Sequence, residues 1–324
     1  MNTTIKAIFF DLGNTLRILH KIPEHQEAGK REFARLAGTH LSPDEFLEMI
    51  DDRYEGYRKW CFRTQREATE AELFTKWLLP EYDRDHVLKH AVAMAFQYRQ
   101  CSGKRLLVPN GKKVIDTLHR RGYRLGIISN LITSEEVPDW LEESGLGQYF
   151  DPVLLSCVCG LRKPGVEIYH LAAQQAGLPE EEIAFVGDNI NRDIVGSRAA
   201  GYGVNVLFTN PQTLSKNPIT EQNRPDAVIF RFIQLLELFP GSTGRQYGEF
   251  AVVRKQIGKG ECLMAALGHG GSNLAEAVRA SYREGQVDYS MEPLVLEDEA
   301  GTPVGTIKSG DAVIFCCRRG RAGN

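Results

Sequence analysis

Four apolar residues, Ala7 to Phe10, run directly into Asp11, and Gly13 with Asn14 turns the chain just beyond. A short apolar run closed by a turn signal reads as a buried parallel strand, which puts Asp11 at the carboxyl end of a central strand. In open α/β sheets that edge is where ligands bind. An isolated Asp-x-x-Asn-Thr more often caps a helix. What decides between the two readings is that the same punctuation recurs three times further along the chain.

Tyr123 to Ile128 reads as a strand that ends at Ser129 and Asn130. Val153 to Leu155 is a short strand, followed by a loop from Gly160 to Gly165 that carries Lys163 and opens a helix from Val166 to Ala176. Ile183 to Val186 leads into Gly187 and Asp188, with Asp193 in the first turn of a helix that runs through Ala200. Val204 to Phe208 adds another strand, and Ala227 to Leu238 supplies a short strand and an apolar helix. Helical stretches fall between these strands, as at Val114, Ile115 and Leu118. Alternation of this kind predicts an α/β fold, a Rossmann-like parallel sheet with helices on both faces. Each singled-out polar residue then falls at the same edge of the sheet.

Between the first strand and this repeat the texture changes. Phe46, Ile50, Tyr54, Tyr57 and Cys61 follow a helical period, and so do Leu88, Val92 and Phe96. Four helices are expected, near residues 25–38, 43–62, 67–79 and 85–100, with no strand among them. Residues 17–104 therefore read as an inserted helical cap, and 1–16 with 105–240 as the core. The aromatic stripe is expected to form the centre of the cap, with one or two rings facing a substrate as the alternative.

Pro240 to Gly244 is a linker-like break, and residues 241–324 have no place in the α/β repeat. Asn273 and Glu276 form a capping pair ahead of Leu274, Val278 and Tyr282 on one helical face, and two strand-like runs follow, Pro293 to Leu296 and Ala312 to Cys316. This small α+β segment is long enough for only a marginal core, so it either docks on the first domain, pairs with another subunit in a homo-oligomer, or is a truncated remnant. Arg318 and Arg319 near its end read as solvated charges.

The formal net charge of −3, with 39 Lys and Arg dispersed along the chain, gives no footprint for nucleic acid. There is no apolar run of membrane-spanning length, and Asp11 interrupts the only N-terminal apolar stretch, so neither a membrane partner nor a signal region is expected and the location is read as cytoplasmic. The seven cysteines are irregularly spaced and lack the paired spacing of a zinc site, so they read as buried thiols.

Three carboxylates, a lysine and a hydroxyl at one sheet edge suit phosphoryl transfer. Magnesium prefers such hard oxygen ligands and keeps waters and substrate phosphate in its shell. Aspartate is an established nucleophile for phosphoenzyme formation, and a lysine and a hydroxyl can bind the transferring oxygens. The motifs FFDLGNTL, GIISN, RKP and VGDNINRDIVGSRAAG, in that order, resemble those of the haloacid dehalogenase-like hydrolase superfamily over about residues 1–240. The resemblance implies that Asp11 is the nucleophile and a magnesium ligand, with Asp188, Asp193 and the Gly13 backbone carbonyl completing the metal site. It implies Ser129 as the phosphate-binding hydroxyl and Lys163 as the charge-stabilising cation, with Asn14, Thr15 and Asn130 as further phosphate contacts. It also matches a helical cap inserted after the first strand, and a small phosphorylated metabolite as substrate.

The chain departs from the family pattern at Gly13, where a second aspartate would serve as general acid and base. Such groups are worth about 10² to 10⁴ in rate. A phosphate-binding or regulatory protein with little turnover is therefore the alternative, and a phosphonatase with Lys21 or Lys30 as Schiff-base amine is a second. The tail segment EAVRASYREG, then GTPVGTIKSGDAVIF, is similar to part of the cofactor-independent phosphoglycerate mutase family, without that family's metal ligands or nucleophilic serine.

Overall fold

The computed structural model describes residues 4–241. The expected α+β tail, its resemblance to the mutase family, and Arg318 and Arg319 lie outside the described residues. Six parallel strands form the central sheet: β1 (Ala7–Phe10), β4 (Arg124–Ser129), β5 (Phe150–Leu155), β6 (Ile183–Gly187), β7 (Val204–Phe208) and β8 (Ala227–Ile229), in the order β5-β4-β1-β6-β7-β8. β1 is buried throughout and paired on both sides, Phe10 opposite Ile127 of β4 and Val186 of β6. That is why its sequence is an unbroken apolar run rather than an alternation.

Side chains of β1 divide by parity between two cores. Ile8 and Phe10 join a cluster with Ile127, Val186 and Val206, whereas Ala7 and Phe9 join Ile128, Phe185 and Tyr169 on the other face. Helices cover both faces, and the expected Rossmann-like α/β fold is the one observed. They include α5 (Gly111–Arg120), α6 (Glu136–Ser144), α7 (Ser156–Cys159), α8 (Val166–Ala176) and α9 (Val195–Ala199).

The segment after β1 is helical: α1 (Pro23–Ala37), α2 (Pro43–Thr64), a short α3 (Glu70–Glu72) that continues as a π-helix over Leu73–Leu78, and α4 (Arg84–Gln100). The start of α2 is set by Ser42, whose hydroxyl caps the Glu45 amide while the Glu45 carboxylate returns to Ser42. Phe46, Ile50, Tyr57 and Cys61 are buried in a core of their own with Phe33 and Phe74.

Two expectations for this segment need correction. It is not free of strands: β2 (Arg17–His20) and β3 (Lys104–Leu107) pair antiparallel at its base, Arg17 opposite Leu107 and His20 opposite Lys104. Both strands are short and partly exposed, so neither presents an apolar run, and they exist as a ribbon only because the chain returns. The second correction concerns α4. Leu88 and Val92 are exposed, and the buried face is Val87, Ala91, Met94 and Ala95. α1 packs closely against α4. A Cβ on Gly29 would already meet the backbone of Gln100 and Cys101 at 3.1 Å.

Candidate active site

Sheet register brings the site together. Asp11 follows Phe10 and its amide still donates to Val186, at 2.9 Å, so the carboxylate stands one residue past the last paired position of β1. Ser129 ends the neighbouring strand and is buried, and Asp188 follows Gly187 at the end of the strand on the other side. Asp193 lies in the helical turn after Asp188 and is fully buried. Gly187 is required here: a Cβ at that position would stand 2.5 Å from the Asp193 side chain.

Asp11, Asp188 and Asp193 each offer a carboxylate oxygen within 4.8 Å of the others. Lys163 is buried, and its ammonium donates to Asp11 Oδ1 at 2.7 Å and meets Asp193 Oδ1 at 2.8 Å. Two further contacts fix it. The Asn130 side chain accepts from the Lys163 amide and donates to the Lys163 carbonyl, both at 2.9 Å, and the ammonium lies 5.0 Å from the centre of the Phe185 ring. Asn14 adopts a left-handed conformation, φ 55°, and its amide donates to Asp188 Oδ2 at 3.2 Å. Thr15 is fully buried beside them. Asn14 and Asn130, expected as phosphate contacts, thus hold a carboxylate and the lysine in place.

One participant had no role in the sequence reading. The Arg192 guanidinium reaches all three carboxylates, with Nη2 at 3.2 Å from Asp11 Oδ2 and 2.9 Å from Asp188 Oδ1, and Nε at 3.2 Å from Asp193 Oδ1. Its signal was its place four residues after Asp188, on the same side of the helical turn. Burial disfavours the charged guanidinium, but Asp193 and Asp11 outweigh it and hold the proton more tightly than usual. Burial, then Asp11 and Asp193, push Asp188 up to about 7. Asp193 is held down at about 2, because Lys163 and Arg192 outweigh its own burial. The cluster thus combines three acids with two fixed cations, and a divalent ion suits its donor set of hard oxygens.

Residues 5–201 match the model of the haloacid dehalogenase-like hydrolase family. The chain belongs to that family. Among its relatives is a glyceraldehyde 3-phosphate phosphatase of Methanothermobacter thermautotrophicus, 26% identical over 236 residues that cover 72% of this chain and 98% of that protein. Another is a ribulose-1,5-bisphosphate 5-phosphatase of Halopiger xanaduensis, 29% identical over 209 residues, 62% of this chain and 84% of that one. The fold is shared with a solved 2-haloacid dehalogenase of Pseudomonas syringae pv. Tomato, with a TM-score of 0.54 and 22% identity over 72% of this chain and 98% of that one.

Within this family member, a segment of the helical block braces the lysine loop. The Glu67 amide donates to the Gly160 carbonyl and the Arg162 amide to the Gln65 carbonyl, each at 3.1 Å. The buried Glu67 carboxylate pairs with Arg162 and accepts from Tyr57 and, at 2.7 Å, from Ser156. Sequence spacing carries no sign of this link, because its halves are far apart in the chain. Lys30 is held by Asp44 at 2.6 Å, which favours its protonated form, whereas a Schiff-base amine needs the opposite shift. Among the described residues, no helix is long and apolar enough to cross a membrane. Cys61, Cys101 and Cys157 are buried thiols, and burial pushes Cys61 up to about 11.

Proposed function

We propose that this family member is a magnesium-dependent phosphomonoesterase that acts on a small phosphorylated metabolite through an aspartyl-phosphate. The observation that carries the reading is the meeting of Asp11 with Lys163, Asp188 and Asp193 at one strand-end edge. Support comes from relatives whose names describe phosphatases of small phosphorylated compounds, glyceraldehyde 3-phosphate and ribulose 1,5-bisphosphate.

In this reading an Asp11 oxygen attacks phosphorus and the phosphorus–oxygen bond to the metabolite breaks, leaving the metabolite as an alkoxide that takes up a proton. Water then attacks the phosphorus of the aspartyl-phosphate, which restores the Asp11 carboxylate and releases inorganic phosphate. Lys163 orients Asp11 before attack and stays beside the transferring oxygens. Ser129, at the end of the adjacent strand, is assigned to hydrogen-bond those oxygens. Asp11, Asp188, Asp193 and the Gly13 carbonyl would hold magnesium, which when bound neutralises phosphoryl charge. Arg192, which now pairs with those carboxylates, would have to release them to such an ion.

Gly13 supports a second reading, a protein that binds phosphate esters and turns them over slowly, because no carboxylate stands where the family's general acid would. Release of phosphate from 4-nitrophenyl phosphate separates the two. Turnover that requires magnesium and disappears in Asp11→Asn is the expected result. A folded protein that releases no phosphate from any of a panel of phosphorylated metabolites, yet binds them, would establish the second reading instead.

A further inference from the structure

The base of the helical block holds a second concentration of charge, opposite in sign and made of other residues. Arg17 from β2, Arg105 from β3 and Arg99 from the last turn of α4 all converge on Glu136 in the first turn of α6, at 3.4, 3.3 and 3.0 Å. Three guanidinium groups face one carboxylate, which leaves two positive charges without a partner in the cluster. Arg17 is 2% exposed, and its Nε is a buried donor with no hydrogen-bond partner among the described residues. A buried charged donor of this kind is costly unless something accepts from it. Burial pulls Arg17 down to about 10 and Arg105 down to about 9, because the single carboxylate does not fully compensate them.

Arg17, Arg105 and Glu136, though not Arg99, line a cavity of about 390 Å³. Arg17, Arg105 and Glu136 form its buried part together with Trp140, whose ring lies 5.3 Å from the Arg17 guanidinium, and Lys104 stands at its exposed part. Glu32, Asp139 and Glu143 also line it; Asp139 and Glu143 are exposed, as is Glu32 in part. A compact ligand with one anionic head can reach the arginines while hydroxyl or amino groups meet those acids. A polyanion would be repelled by them.

We propose that this cavity is a binding site for a small oxyanion, either inorganic phosphate or the phosphate or carboxylate head of a hydroxylated metabolite. The site is separate from the carboxylate cluster, and Arg17 belongs to both neighbourhoods through its backbone. Its amide donates to the Leu12 carbonyl at 2.8 Å and its carbonyl accepts from Asn14 at 2.7 Å, which closes the loop after Asp11.

Trp140 gives a local readout. The intact protein is titrated with sulfate, phosphate and acetate while chloride holds the ionic strength constant, and tryptophan fluorescence is recorded. A saturable change with one or more of these oxyanions, absent with chloride and absent in Trp140→Phe, is expected. Stronger response to phosphate and sulfate would identify a tetrahedral head group, and stronger response to acetate a carboxylate. Arg105→Gln, which keeps two guanidiniums on Glu136, should weaken binding at least about tenfold, the size of one charge-assisted hydrogen bond. Glu136→Gln removes the competing carboxylate and should tighten binding. Calorimetry on the same samples counts the sites, and the tighter class should be the one that Arg105→Gln weakens. No saturable response, or an affinity unchanged in an Arg105→Gln protein that melts like the parent, would overturn the proposal.

Discussion

The carboxylate cluster at the sheet edge and the arginine cluster at the base of the helical block are opposite in charge, and they are compensated to different degrees. At the sheet edge, Asp11, Asp188 and Asp193 are met by Lys163 and Arg192, so three carboxyl groups face two cations. At the base, Glu136 is the one carboxylate paired with Arg17, Arg99 and Arg105 among the described residues, three against one. The first cluster holds its own carboxylates in defined directions by short contacts to two cations. The second leaves a buried Arg17 donor without an acceptor among the described residues. Near balance suits a site that must admit an ion and an ester together, whereas a standing excess suits a site that waits for one anion.

The largest expected change comes from adding charge to the acidic cluster. A Cβ on Gly13 meets nothing within 4 Å, so Gly13→Asp should be accommodated without displacing a neighbour. If the general-acid role is vacant, kcat/KM for alkyl phosphates should rise by about 10² to 10⁴. The parent protein should prefer aryl and anomeric phosphates, whose leaving groups tolerate departure without a proton, and the slope of rate against leaving-group pKa should flatten in Gly13→Asp. A flat profile in the parent would mean that another residue already protonates the leaving group. Asn14 does not fill that role, because an amide donates a hydrogen bond without giving up its proton at neutral pH.

The acidic cluster was more legible in the sequence than the basic one, for physical reasons. Asp11, Lys163, Asp188 and Asp193 each follow a strand or open a helix, and a parallel sheet brings all strand ends to one edge. Arg192 was not legible as a member, since an arginine in a helical turn is ordinarily solvated, and only the three-dimensional turn aims it at the acids. Nothing in the sequence marks Arg17, Arg99, Arg105 and Glu136 as a group. Arg17 and Arg105 meet because β2 pairs with β3 across the whole helical block, and that ribbon has no apolar signature. The burial of α4 shows the same limit. Its sequence offers two apolar faces, Leu88 with Val92 and Val87 with Ala91, and the second is the one buried in the helix, which packs closely against α1.

Removing the single carboxylate of the basic cluster is the next largest perturbation. Glu136→Gln leaves three guanidiniums facing one another and should cost about 3 kcal/mol, in the range for breaking a buried ion pair from one side. The pH dependence follows from the sign of the shift. Burial works to raise the Glu136 pKa, but Arg99, Arg17 and Arg105 outweigh it and the carboxyl sits below its usual 4.5. The folded state therefore binds fewer protons than the unfolded state just below that value. The contribution is complete above the ordinary carboxylate range and is lost as pH falls through the lowered folded-state value. Urea midpoints measured from neutral pH down to the acid limb should show the parent converging on Glu136→Gln as pH falls. Parallel curves would mean that Glu136 contributes little to the acid limb.

The smallest effect expected is also the one that tests the comparison most directly, because it removes an arginine from each cluster in turn. Arg192 donates to all three sheet-edge carboxylates, and a divalent cation held by the same oxygens would have to displace it. Charge-assisted hydrogen bonds contribute about 1.5 to 3 kcal/mol each, and water or the substrate recovers part of that, so Arg192→Ala should bind Mn²⁺ about 10- to 100-fold more tightly without substrate. Spin-resonance titration of free Mn²⁺ measures this with no turnover required. The metal-free variant should melt below the parent, since among the described residues Lys163, paired with Asp11 and Asp193, is then the one cation left in the cluster, and magnesium should restore most of the loss. Arg105→Gln should behave the other way, with an unchanged or raised melting temperature, because it relieves an excess of positive charge instead of creating one of negative charge. Arg192→Lys falls between, because an ammonium lacks the planar fork that reaches several carboxylates at once. An Mn²⁺ affinity unchanged in Arg192→Ala would mean that the guanidinium leaves the carboxylates at no cost. In that case the acidic cluster, like the basic one, is an uncompensated site whose missing charge arrives only with its ligand.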